Sequence, residues 1–427
     1  MRLTSSIHTK IFQFLISLAV FTLPFSIYLM LPIAILLFLN WLIEGNFKAK
    51  FLLLRKPNRI IPFLLMLGFF LCHLFSLFYG NNISATWSNL ECKIWFLLVP
   101  LVLFTADHNS LNSQFFRRLA FLFVIASVMM ILINLVWSFV RWSQKDFQLF
   151  GRFFYYVNVT HLFPPHPTHP SYLAMYLSVA TFIAIKLCFH IPSHISHRKF
   201  IIFGLIFSIF LFIVFILLLQ SKAGLLVFFP LLLVVLLYLF NRNKRRVLES
   251  IAILGVLCAM VIPMFVHVSG NGNRLKQAYH EMILQKNEPK QSQKGVGVRV
   301  TIWTNAWEVF CENPFLGVGV GDVVDTLSEA YADENLSIMV KHRFNAHNQY
   351  LQTAVGMGFC GLLILLALLI YPCVVAIRSR DALLLLFLLI VAGNLLVESM
   401  FEVRAGATFF PLFYALFYLR TIQSRKV

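Results

Sequence analysis

Long apolar runs separated by short polar stretches set the pattern of this chain, and each run is about the length a helix needs to cross a bilayer. Residues 11–43 hold no charge, yet Pro24 and Pro32 interrupt them. One helix of that length would span roughly 50 Å, against a hydrocarbon core of about 30 Å. Two segments, 11–27 and 28–43, fit better. Further segments follow at 60–79, 91–105, 119–140, 171–190, 200–219, 224–240, 250–266, 347–371, 382–397 and 406–420. The pattern predicts an all-α polytopic membrane protein of about 12 transmembrane helices. It forms a single integral membrane domain over 1–427, with one long polar loop, 267–345, between segments 9 and 10. No A-x-A site follows the first run, so it is expected to be retained as a span.

Composition agrees: 59% of the residues are hydrophobic, 46 are Phe and only 12% are charged, which excludes a water-soluble enzyme. The net charge of +18 would suit nucleic acid, but its distribution points elsewhere. Of 35 Lys/Arg and 17 Asp/Glu, 21 and 4 fall on one side of the predicted spans, leaving 14 and 13 on the other. That is positive-inside bias, so the charge reports orientation. Both termini and 241–249 are expected inside, and 267–345 in the periplasm. The seven cysteines show no metal spacing and read as small core residues.

The polar loop has helical pieces of its own. Residues 298–312 place Arg299, Trp303 and Trp307 on one stripe and stop at Asn313-Pro314. GVGVGD (317–322) makes a flexible turn, and Asp322 is positioned to cap a short helix ending near Tyr331. The loop then runs into NAHNQYLQTAVGMGFCG (345–361), which joins it to segment 10. His347 and Asn348 sit at that junction. A histidine there can exchange a proton with a bound hydroxyl; either residue could instead simply cap the helix.

Several motif matches fail on context. GMGFCG (356–361) spells G-x-G-x-x-G but lies within an apolar helix, where Gly356, Gly358 and Gly361 are expected to allow close helix packing. GVGVGD lacks the Lys-Ser/Thr pair of a phosphate loop. In HLFPPHPTHP (161–170), His161, His166 and His169 resemble metal ligands, but four prolines stiffen the segment and no carboxylate or thiol joins them. It is read as a rigid lid whose histidines contact a polar substrate. No metal or other cofactor is expected.

What remains is a set on the loop side: Lys222, Arg299, His342, Arg343, His347 and Arg404. Lys222 either snorkels to lipid phosphate or contacts the phosphate of a lipid-linked ligand. Guanidinium groups bind phosphate oxygens in a fixed fork and could stabilise a departing diphosphate. An exporter or flippase would need charges within its spans, whereas here they lie at the ends.

These residues resemble the O-antigen ligase family, which shares its signature region with O-antigen polymerases and bacterial O-oligosaccharyltransferases. The likeness is carried by Arg299-x-x-x-Trp303, NPFLGVGVGD (313–322) and His347-Asn348-Gln349-Tyr350-Leu351-Gln352 through Gly361. It implies a GT-C-type inverting glycosyltransferase of the bacterial inner membrane that acts on the periplasmic side. Such an enzyme moves a glycan from undecaprenyl diphosphate, without a metal, to lipid A-core or another acceptor, with no nucleic acid involved. By the same likeness Arg299 contacts diphosphate and His347 is the essential histidine. Lys222, Arg343, His342, Asn348 and Trp303 complete the expected substrate contacts. Two positions depart from the family pattern. Ser221-Lys222-Ala223 stands where a Ser-Arg-Gly-like turn is common, and Gly356 where ligases often carry a glutamate.

Overall fold

A computed structural model describes residues 5–107, 110–145, 169–192, 196–242, 255 and 296–424. Segment 9 (250–266) apart from residue 255, residues 267–295 of the polar loop, and His161 and His166 lie outside them. The described residues are helical, with no strand among them. The first half holds α1 (Ser5–Thr22), α2 (Met30–Glu44), α3 (Phe47–Leu54), α4 (Pro57–Phe75), α5 (Ile83–Lys93), α6 (Trp95–Phe104) and α7 (Ser113–Lys145). Then come α8 (Pro170–His190), α9 (Arg198–Leu218) and α10 (Lys222–Arg242). The remainder holds α11 (Val296–Glu312), α12 (Val323–Asp333), α13 (Ser337–His342), α14 (Gln349–Arg378), α15 (Ala382–Leu395) and α16 (Arg404–Ser424).

This is a multi-pass membrane protein. Among the described residues, eight helical stretches are long and apolar enough to cross a bilayer, or nine if the bent pair α2–α3 is one span. The expectation of twelve is therefore met in part. Helices stand at the two N-terminal positions as expected, separated at Pro24, but α1 is shorter than a full crossing, as is α15. The pair α2–α3 turns through 114° at Gly45 and Asn46, both with positive φ, so the chain folds back where a straight span would continue. Segment 4 is two abutting helices, α5 and α6, that together cross as Ile83–Phe104.

The fold divides into two compact units. The first comprises residues 1–23, 27–117 and 281–427 and is built around α16, of whose most apolar window 94% is buried. Its aromatic run explains this. Phe410 packs on Phe96 of α6 with centroids 5.9 Å apart, Tyr418 on Phe104 at 6.0 Å, and Phe387 of α15 contacts Phe409, Phe413 and Phe417. At the far end of this helix Arg420 pairs with Asp381, which also caps α15 by accepting from Leu383 N–H. The second unit comprises residues 24–26 and 118–280; in it α8 packs against α9 and α10. Ser221 Oγ donates to Ser171 Oγ at 3.1 Å there, and Phe182 lies on Phe228.

Candidate active site

The polar segment following α11 is built onto α14 by backbone pairing. α11 buries Ile302, Ala306, Val309 and Phe310 in a cluster with Val323, Leu327 and Tyr331 of α12 and with Ala354 and Val355 of α14. Arg299, Trp303 and Trp307 therefore do not share one environment, although they share a stripe. Arg299 is partly exposed, Trp307 is exposed, and the indole N–H of Trp303 is buried without a hydrogen-bond partner.

After Asn313-Pro314 the chain lies along α14. Val318 N–H donates to the Val355 carbonyl at 2.8 Å, Gly319 N–H to Gly356 at 3.1 Å, and Phe359 N–H to Pro314 at 2.7 Å. These bonds occupy backbone groups that a continuous helix would use internally, and α14 is broken at Gly358, where φ is 61°. A Cβ at Gly358 would stand 2.2 Å from the Phe315 carbonyl oxygen. The glycine run of 356–361 thus admits a loop at a helix break, where close packing between helices was expected.

Asp322 also differs from expectation. It precedes α12 but makes no side-chain cap. Its two carboxylate oxygens accept from the N–H groups of Asn81 and Asn82, each at 2.8 Å, on the turn between α4 and α5. Asn82 also donates to Asp325 at 2.8 Å, and Asp325 pairs with Arg343. The hydrogen bond from Asn82, and then Arg343, holds the Asp325 carboxyl below its ordinary range.

α13 ends at Arg343, φ 48°, and the chain reaches His347, φ 43°. Asn348 caps α14, its Oδ1 accepting from Tyr350 N–H at 2.9 Å and Leu351 N–H at 3.2 Å. The caps have thus divided between neighbours: Asn348 serves the helix and the imidazole of His347 is left for other contacts. His342 stacks on Phe344, whose ring meets His347 edge-on, both with centroids 5.5 Å apart.

Glu398, on the turn between α15 and α16, joins the two residues that the sequence singled out. Its Oε1 accepts from Arg299 Nη2 at 3.0 Å, and its Oε2 lies 3.5 Å from His347 Nδ1, at the outer limit of hydrogen bonding. A carboxylate on Nδ1 turns Nε2 away from it and fixes which ring nitrogen faces a substrate.

A second layer holds that turn. Gln349 Oε1 accepts from Phe401 N–H at 2.7 Å, while its Nε2 donates to Glu402 Oε1 at 3.1 Å. Glu402 Oε2 meets Lys93 Nζ at 2.6 Å, and Lys93, fully buried, also donates to Asn89 Oδ1 at 2.8 Å. Burial alone would push the Glu402 carboxyl up; Lys93, with His73 and Gln349, outweighs it and holds it below the usual carboxylate range. His73, Gln352, Thr353 and Glu402 help to line a small cavity.

The expected cations take different partners. Arg299 and His347 come together through Glu398, Arg343 turns to Asp325, and Arg404 pairs with Glu91 at 2.6 Å. Lys222 belongs to the second unit, exposed at the start of α10. His169 accepts from Ser171 N–H and caps α8. Among the described residues, no three His, Cys, Asp or Glu are grouped to hold a metal. Glu398, Glu402 and Lys93 were missed as site residues; the available signal was a turn with three charges, at 398, 402 and 404, between two apolar helices.

Compared with curated proteins, the chain has no match. Residues 207–366 match the model of the O-antigen ligase family, a stretch that contains Lys222, Arg299, Trp303, His347 and the broken part of α14. The chain is a multi-pass membrane protein, and over residues 207–366 it is similar to the O-antigen ligase family.

Proposed function

We propose that this protein joins O-antigen, carried on undecaprenyl diphosphate, to a sugar hydroxyl of lipid A-core, at the periplasmic face of the bacterial inner membrane. The observation that carries this is the Glu398 carboxylate between Arg299 and His347. His347 Nε2 takes the proton of the acceptor hydroxyl while that oxygen forms its bond to the anomeric carbon. The bond from that carbon to the diphosphate oxygen breaks, and its electron pair leaves with undecaprenyl diphosphate. Attack from the face opposite the leaving group inverts the anomeric centre. Glu398 holds the imidazole and stabilises the charge it gains. One Nη of Arg299 is engaged by Glu398, which leaves the other guanidinium donors for the diphosphate as negative charge builds there, so no metal is required.

The whole chain acts as one integral membrane domain, with 267–345 outside, in keeping with the partition of basic residues. The resemblance extends to O-antigen polymerases, and Gly356, where ligases often carry a glutamate, keeps that second reading. Its carbonyl accepts from Gly319, and a Cβ there would lie 3.0 Å from Val323 Cγ2, so the glutamate common in ligases would need Val323 to shift by a few tenths of an ångström. The lipopolysaccharide banding pattern of a deletion strain separates the two. Loss of every band above core indicates the ligase, and bands of one repeat indicate the polymerase. An unchanged ladder overturns both.

A further inference from the structure

Around the helix break runs a continuous strip of exposed apolar side chains that the chemistry above does not use. Phe75 and Phe78 close the span Pro57–Phe78, their rings 5.9 Å apart, and Phe78 is 81% exposed. Tyr79 beside them donates to the Leu316 carbonyl at 2.7 Å. Leu316 and Phe315, the latter 75% exposed, lie on the loop paired with α14. Exposed Phe359 of α14 follows and meets Phe310 at 5.1 Å, and exposed Trp307 meets the same Phe310 at 5.4 Å.

This strip continues the lipid-facing surface of two spans at a definable height. α4 and α14 run antiparallel, with Gly68 facing Ile364. Lys56 and Arg59 start one, and Arg378 ends the other, so charges mark the same membrane face. About 20 helical residues cross a hydrocarbon core of about 30 Å. Counted from Arg59 they end at the Phe78–Tyr79 corner; counted back from Arg378 they end at Gly358. The two counts agree, and the two places touch, since the Gly356 carbonyl lies 3.3 Å from Tyr79 Oη.

We infer that Trp307, Phe315 and Leu316, with Phe75, Phe78 and Phe359, form an interfacial belt that seats the Trp307 ring and the Phe315–Leu316 tip of the polar loop in the upper acyl-chain region of the bilayer, on the membrane face nearer His347. Aromatic side chains are favoured at that depth. Non-helical backbone is favoured there when its polar groups are paired: the Pro314 carbonyl accepts from Phe359 N–H and the Leu316 carbonyl from Tyr79 Oη. Bilayer lipid is the occupant because the strip is unbroken with the faces of two spans. The belt sets the height of the Arg299–Glu398–His347 group, independently of which reaction that group performs.

The test places an environment-sensitive nitrobenzoxadiazole label at Phe315→Cys, in the full chain with its native cysteines replaced and reconstituted in phosphatidylcholine–phosphatidylglycerol vesicles. A reference label is placed at Glu329→Cys, an exposed position on α12. Expected at position 315 are blue-shifted emission, strong quenching by lipid carrying a nitroxide high on its acyl chain, and protection from aqueous iodide, with the reverse at position 329. Equal iodide access at both positions, with no nitroxide quenching at 315, overturns the belt. The same measurement at Trp307→Cys decides the matter if Phe315→Cys fails to reconstitute.

Discussion

The buried ion pair beneath the site gives a prediction whose size follows from the geometry. Lys93 has no solvent exposure, and among the described residues its ammonium bonds Glu402 at 2.6 Å and Asn89 at 2.8 Å. Lys93→Met leaves the Glu402 carboxylate, whose side chain is 15% exposed, with Gln349 as its main remaining donor. Stranding one partner of a buried pair costs about 3–5 kcal/mol, whereas replacing both by apolar residues of similar volume is often neutral. Lys93→Met and Glu402→Met should therefore each destabilise by about 3–5 kcal/mol, and the double variant by much less than their sum. Gln349 loses little in the double variant, because its Nε2 keeps Thr353 Oγ1 at 3.2 Å. Unfolding by dodecyl sulfate in mixed micelles, followed by tryptophan fluorescence, measures all three. Losses that simply add, or a Lys93→Met protein as stable as wild type, would refute the pairing.

Three smaller perturbations test the loop that carries the site. Asp322→Ala removes the acceptor of two charge-assisted bonds, each worth about 1.5–3 kcal/mol, and should release the 313–322 segment to limited proteolysis at unchanged expression. Gly358→Ala should abolish accumulation of folded protein in the membrane, because its Cβ collides with the Phe315 carbonyl at a positive φ; normal detergent-extracted yield would contradict this. The Asp325 carboxyl titrates lower in the folded protein, so its contribution is complete above its unfolded value of about 3.9 and is lost as pH falls through the lower folded value. Hydrogen exchange at 323–333 should therefore quicken on acidification below that range, and Asp325→Asn should remove the pH dependence.

The sequence made the spans legible because bilayer thickness imposes a length on every apolar run, so helices stand at each predicted position within the described residues. The break in α14 was not legible. Gly356, Gly358 and Gly361 in an apolar context look the same whether another helix or a loop approaches, and only the pairing partner at 314–319 distinguishes them. Asp322 looked like a cap for the same reason: its neighbours in sequence announce a helix, while its acceptor role is decided 240 and 241 residues away, at Asn82 and Asn81. His347 and Arg299 stood out by residue type at a polar–apolar junction. Glu398 lies 51 residues beyond His347 and was visible only as a charge in a turn. Pairing of that kind is tertiary information.

The central claim is that His347, held by Glu398, moves the proton in glycan transfer. A reconstituted assay with purified lipid-linked glycan and acceptor, run across a range of pH on His347→Gln, addresses it most directly. Gln keeps a hydrogen-bonding side chain of comparable reach and removes the titratable nitrogen. General-base catalysis is typically worth about 10²–10⁴-fold, so turnover should fall by that order at every pH while the protein still inserts and binds donor. Near-normal turnover by His347→Gln at every pH would show that the imidazole only orients its substrate, and the assignment of proton transfer to His347 would fall.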